Sequence, residues 1–181
     1  MENEFKKCSF AEFLELGADE FSRYESTGKL LKPDPWNAKP VMEWQFIQVK
    51  EIQNLMNNGL SYEQFIKIVH DLTDIDIEKI IQKDWISVFK FFKFVESSIK
   101  EVNELEKKLA YEPDVIEENS GIEMFNQFGH FVTIDRLAGG DPLKYEQIAR
   151  MEYSVIFSKL FLNVVDMQFT KNYQTQINRK P

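Results

Sequence analysis

Apolar residues recur at helical spacing along most of the chain. Phe10, Phe13, Leu14, Phe21 and Tyr24 fall roughly three or four apart, with Gly17 and Gly28 as stops. Met42, Phe46, Val49, Ile52 and Met56 form a second stripe, ended by Asn57-Asn58-Gly59. Phe65, Ile66, Val69 and Leu72 make a third, and Trp85, Val88, Phe89, Phe92 and Val95 a fourth that continues to about Tyr111. Met124 to Leu137 reads as a helix weakened by Gly129, and a last helix runs from about Tyr153 to Phe169. This period places one face of each helix in a core. Seven glycines and six prolines leave few breaks. The pattern therefore predicts an all-α chain, a compact multi-helix bundle. The acidic connector "EPDVIEENSGIE" interrupts it and could hold a short strand or hairpin.

Helix starts are marked by residues that satisfy the free amides of a first turn. Ser9-Phe10-Ala11-Glu12 and Ser61-Tyr62-Glu63-Gln64 have the form of capping boxes. Thr73 or Asp74 is placed to cap the short "IDIEKI" helix, and Asp84 the aromatic helix after it. Gly139 and Gly140 raise the question of a phosphate cradle. A phosphate-binding loop needs Lys-Ser/Thr after its glycines, and here Asp141-Pro142 follows. One glycine suits a left-handed helix end, Asp141 a cap and Pro142 a first helical position. Gly139, Gly140, Asp141 and Pro142 thus read as a structural turn.

Pro33, Pro35 and Pro40 crowd one short stretch. Each lacks an amide donor and disfavours helix before it. The expected organisation is an N-terminal helical arm (1–32), a Pro-rich linker (33–41), a helical core domain (42–170) and a polar C-terminal tail (171–181). Within the core, 61–95 and 125–165 align as a degenerate repeat. Ile80 falls against Ile148, Trp85 against Tyr153, Val88 against Ile156, Phe89 against Phe157 and Phe92 against Leu160. The alternative is two amphipathic helices matched by their shared period.

Composition narrows the function classes. Hydrophobic content of 43% and sixteen phenylalanines argue for a real core rather than disorder. A net charge of −8 opposes a nucleic-acid footprint, which needs clustered cations. Cys8 is the single cysteine, which excludes an intrachain disulfide and fits a reducing cytoplasm. The opening "MENEFKKCSFAEF" has acids and no long apolar run, so neither a signal peptide nor a membrane span is expected. His70 and His130 lack partners at metal-ligand spacing. Asp71, Asp74 and Asp76 miss the glycine and glutamate of a calcium loop. No nucleophile motif is present. The expectation is a non-enzyme with no cofactor, no metal, no nucleic acid and no membrane. "WISVFKFFKFV" sets Phe89, Phe91, Phe92 and Phe94 on more than one face. Either that helix is central, or a stripe remains for another chain.

"LTDIDIEKIIQKDWISVFKFFKFV" and "RLAGGDPLKYEQIARMEYSVIFSKLFL" resemble segments of tail assembly chaperones and related small tail proteins of long-tailed bacteriophages. Together they cover roughly 50 residues. The N-terminal arm, the Pro-rich linker and the acidic connector have no counterpart there. The resemblance implies an all-helical, non-enzymatic protein of the bacterial host cytoplasm. Its partners would be the tape-measure protein or tail-tube subunits. A structural virion protein of the neck, connector or tail, forming a ring, is the alternative. Trp36, Phe89, Phe92, Tyr153, Phe157 and Phe161 are the candidate partner-binding residues, for a client or for copies of the same chain. Plain core packing is the other reading of them.

Overall fold

The computed structural model describes residues 8–28, 30–110, 113 and 115–178. Among these the fold is all-α, with no strand. The chain divides into two compact units, Met1–Val41 with Glu51–Glu101 and Met42–Lys50 with Val102–Pro181.

The first unit holds α1 (Phe10–Leu14), α2 (Ala18–Gly28), most of α3 (Phe46–Asn58), α4 (Tyr62–Thr73), α5 (Ile77–Ile81) and most of α6 (Trp85–Glu106). Both capping boxes form. Ser9 Oγ accepts from the Glu12 amide at 3.2 Å while the Ser9 amide donates to Glu12 Oε2 at 2.8 Å. Ser61 and Gln64 repeat the exchange at α4. The Asp84 carboxylate accepts from the Ile86 and Ser87 amides at the start of α6. α1 is tied to α6 by a short antiparallel bridge, in which the Phe10 amide donates to the Lys83 carbonyl at 2.7 Å and the Trp85 amide to the Cys8 carbonyl at 3.2 Å. The bridge delivers Phe13 into a cluster of rings. Phe13 stacks on Trp85 at 5.6 Å and meets Phe89 edge-on at 5.3 Å, with Tyr24 and Tyr62 beside it. Phe10, Phe13 and Trp85 are fully buried. Gly28 ends α2 against this cluster; a Cβ there would lie 2.3 Å from the Phe89 ring.

The expected arm and linker are therefore not separate from a core. Residues of the arm supply rings to the same core as α6, because Phe10, Phe13 and Tyr24 are too apolar to leave in water. The Pro-rich stretch lies on α6 and the end of α4, with the Asp34 amide donating to the Lys90 carbonyl at 3.1 Å and Asn37 Nδ2 to the Thr73 carbonyl at 3.2 Å. Residues 1–7 of the expected arm lie outside the described residues.

The second unit takes the first turn of α3, the last turn of α6, α7 (Val115–Asn119), α8 (Phe131–Ala138), α9 (Tyr145–Ala149) and α10 (Tyr153–Asn178). It carries the same kind of bridge. The Phe46 amide donates to the Met151 carbonyl and the Tyr153 amide to the Trp44 carbonyl, both at 2.8 Å. The Gln45 amide donates to Gln48 Oε1 at 3.0 Å, one half of a capping box. Phe46 stacks on Tyr153 at 6.3 Å, and Trp44, Ile134, Ala138 and Ile156 are buried.

Three expected boundaries move. The 124–137 helix is two elements, a 3-10 segment at Ile122–Phe128 and α8, split where Gly129 turns to φ 52°. That angle suits glycine and ends a right-handed helix. The acidic connector holds helix α7 rather than a strand. The polar tail is not a tail as far as Asn178, since α10 runs on through it with neither proline nor glycine to stop it. Residues 179–181 lie outside the described residues, as does Tyr111.

Candidate functional site

The turn at residues 139–142 is built from its own side chains. Gly139 and Gly140 take φ 68° and 75°, and their amides return to the Arg136 and Asp135 carbonyls. Asp141 Oδ1 accepts from the Leu143 amide at 3.1 Å, and Pro142 opens a 3-10 segment. Lys144 pairs with the Asp141 carboxylate at 3.3 Å. The place where a phosphate would sit holds a carboxylate.

Two of the candidate partner-binding residues are core. Phe89 is 9% exposed and Tyr153 1%, so neither can present a ring to another protein. Phe89 is held by Phe13 and Trp85. Trp36 is half-buried and committed within its own unit: its indole N–H donates to Ser87 Oγ at 3.1 Å, its ring lies 4.7 Å from Phe91, and Lys83 Nζ sits 4.7 Å over it. Its φ of 49° is unusual for a bulky side chain. The Asp34 carboxylate, accepting from the Trp36 amide at 3.0 Å, supports that turn. The aromatic helix is central: Phe91 is buried, Phe92 and Phe94 half-buried. Phe92 lines a cleft of about 330 Å³ with Met56, Leu60, Tyr62 and Phe65.

The remaining candidates lie on α10. Tyr153, Phe157, Phe161, Val165, Phe169, Tyr173 and Ile177 follow each other at intervals of four. Rings along this ladder stack, Tyr153 on Phe157 and Phe157 on Phe161 at 6.2 Å, Phe169 on Tyr173 at 6.1 Å. The ladder begins buried and comes out. Phe161 is 42% exposed, Phe169 66% and Tyr173 58%. Leu162 and Met167 are exposed off the ladder. A second exposed group, Met124, Phe125, Phe128 and Phe131, flanks α8. The sequence reading missed this group and the far end of α10, because helical spacing does not tell a covered ring from an uncovered one.

A groove of about 810 Å³ runs beside the first half of α10. Its walls include Leu109, Val132, Leu137, Leu160, Val164 and Met167. At one end the Tyr153 hydroxyl donates to Glu106 Oε1 at 2.5 Å, and Lys50 Nζ pairs with the same carboxylate at 2.6 Å. Burial, and then the bond to Glu106, hold the Tyr153 phenol well above the usual tyrosine range. Arg136 and Lys159 stand at the groove with no carboxylate in ion-pair distance among the described residues.

Histidine chemistry does not gather here. His70 Nδ1 lies 2.9 Å from the Ile75 carbonyl, at the end of α4. Among the described residues no group of three or more His, Cys, Asp or Glu could hold a metal ion, and no helix is long and apolar enough to cross a membrane. Comparison with protein-family models, curated proteins and solved structures finds no match.

Proposed function

We propose that the chain is a non-enzymatic tail-morphogenesis protein of the tail assembly chaperone kind, holding an apolar helical client through its second unit. One observation carries the binding role: the far half of α10 exposes Phe161, Leu162, Val165, Phe169, Tyr173 and Ile177 to solvent. A helix apolar on so much of its circumference is stable in water when another chain covers it. The kind of client, a tape-measure protein or tail-tube subunits, comes from the two stretches Leu72–Val95 and Arg136–Leu162 that resemble such chaperones. Candidate contacts are Phe157 and Phe161, joined by Val165, Phe169 and Tyr173.

Co-expression with a tape-measure protein from the same genome tests this. The expected result is a soluble complex that Phe161→Ser with Phe169→Ser abolishes, and absence of the chain from purified particles. Its presence there in stoichiometric amount, with no soluble complex, would replace the chaperone reading with that of a neck, connector or tail component.

A further inference from the structure

We infer that the groove beside α10 is a docking site for an amphipathic helix whose apolar stripe is flanked by acidic residues. This does not rest on the tail-assembly reading, since the α10 residues that line the groove, Lys159, Leu160, Asn163, Val164 and Met167, are none of them rungs of the ladder.

Charge selects the occupant. The chain carries net charge −8, yet the charged side chains at this groove are Lys50, Arg136, Lys159 and Glu106. Glu106 is engaged by Lys50 and by the Tyr153 hydroxyl, so that pair is internally neutral. Arg136 and Lys159 are left, both exposed and neither in an ion pair among the described residues. Arg136 lies over the Phe125 ring, 5.8 Å away. Two unneutralised cations over an apolar floor attract carboxylates and repel a basic stripe.

Shape selects a helix over a small amphiphile. The groove is open along its length rather than closed around a ligand, and from Lys159 to Met167 it follows α10 for about 12 Å at 1.5 Å per residue. Apolar anchors at i, i+3, i+4 and i+7 of a docked helix span about 10.5 Å by the same rise. Leu137, Leu160 and Val164 would receive the anchors while Arg136 and Lys159 meet flanking glutamates.

The probe is a labelled amphipathic peptide with leucines at those four positions and glutamates flanking them, read by fluorescence anisotropy. A copy with every glutamate replaced by lysine is the control. The wild-type chain is expected to bind the acidic peptide at least tenfold more tightly than the basic one. Arg136→Glu with Lys159→Glu, both on exposed positions and checked for unchanged circular dichroism, is expected to invert that preference. Hydrogen exchange should show peptide-induced protection in α8 and in residues 159–167. Equal affinity for both peptides, a preference untouched by the double variant, or displacement of the peptide by an equimolar long-chain carboxylate overturns the assignment.

Discussion

The two units use the same backbone device to opposite ends. In each, the residues before one helix pair through two hydrogen bonds with the residues before a longer one, and an aromatic residue begins each helix. In the first unit those residues are Phe10 and Trp85, and the rings behind them close on one another. In the second they are Phe46 and Tyr153, and the long helix that follows carries its rings out into water. Among the described residues the exposed large hydrophobics of the first unit are Leu14, Leu30 and Ile77, scattered singly, whereas those of the second, Val115 and Leu143 apart, cluster on α10 and around Met124–Phe131. A bridge of this kind fixes where a helix starts and says nothing about what its far end does. The first unit closes its rings on itself, and the second leaves a large share of its rings in water.

The sharpest test of that contrast is at the centre of the closed cluster. Phe13→Ala should cost about 3–5 kcal/mol, since it opens a cavity among five rings. Urea unfolding measures it, and a cost under about 1 kcal/mol would mean the first unit is not closed as described. Phe169→Ala removes a ring of similar size that is two-thirds exposed. It should change the unfolding midpoint by far less.

Tyr153→Phe takes the hydroxyl from Glu106 and leaves that carboxylate to Lys50. The expected loss is about 1.5–3 kcal/mol, as for a hydrogen bond to a charged group. Changing Trp85 to Phe at the bridge position of the first unit should also destabilise, but through a cavity among buried rings and not through a lost hydrogen bond. That exchange removes ring volume but no carboxylate-bound hydroxyl.

The units should also differ in pH response. The folded-state pKa of Tyr153 is raised by burial and then by Glu106, so its share of stability is complete below the ordinary tyrosine value near 10 and declines as pH rises above it. In the first unit the Lys93 ammonium, and then Lys100, hold Glu96 below the usual carboxylate range against the opposing effect of burial. Its share is present above that range and declines as pH falls through the lowered value. Hydrogen exchange at alkaline pH should therefore loosen amides around Tyr153 first, and the Tyr153→Phe variant should lose the alkaline decline.

The smallest difference lies in the caps. Ser9→Ala removes the hydroxyl that accepts from the Glu12 amide, leaves the backbone amide of residue 9 bonded to the Glu12 carboxylate, and should cost about 1 kcal/mol. Gln45→Ala leaves the Gln45 amide bonded to Gln48 and should cost little.

Local features were legible in the sequence because their signals are local. Ser9, Ser61, Asp84 and Asp141 cap where their spacing to the next apolar run implies, and Gly139 takes the left-handed helix end. Features joining distant residues were not legible. A bridge of two hydrogen bonds, from Phe10 to Lys83 and from Trp85 to Cys8, has no period, and three prolines look alike whether a segment separates two bodies or lies along one helix. The candidate contacts failed at Phe89 and Tyr153 for a related reason. A ring has the same helical spacing whether its neighbours cover it or not. Arg136 and Lys159 escaped notice because an unpaired cation is defined by what is absent around it in space.

The ladder on α10 is also a screw thread. Each step of four residues climbs about 6 Å and turns about 40° beyond a full revolution. From Tyr153 to Ile177 the thread therefore travels about two-thirds of the way round the rod, right-handed. A flat surface laid against α10 touches only two or three of its rungs. Covering them all takes a partner that winds with the thread, or several partners set around one axis.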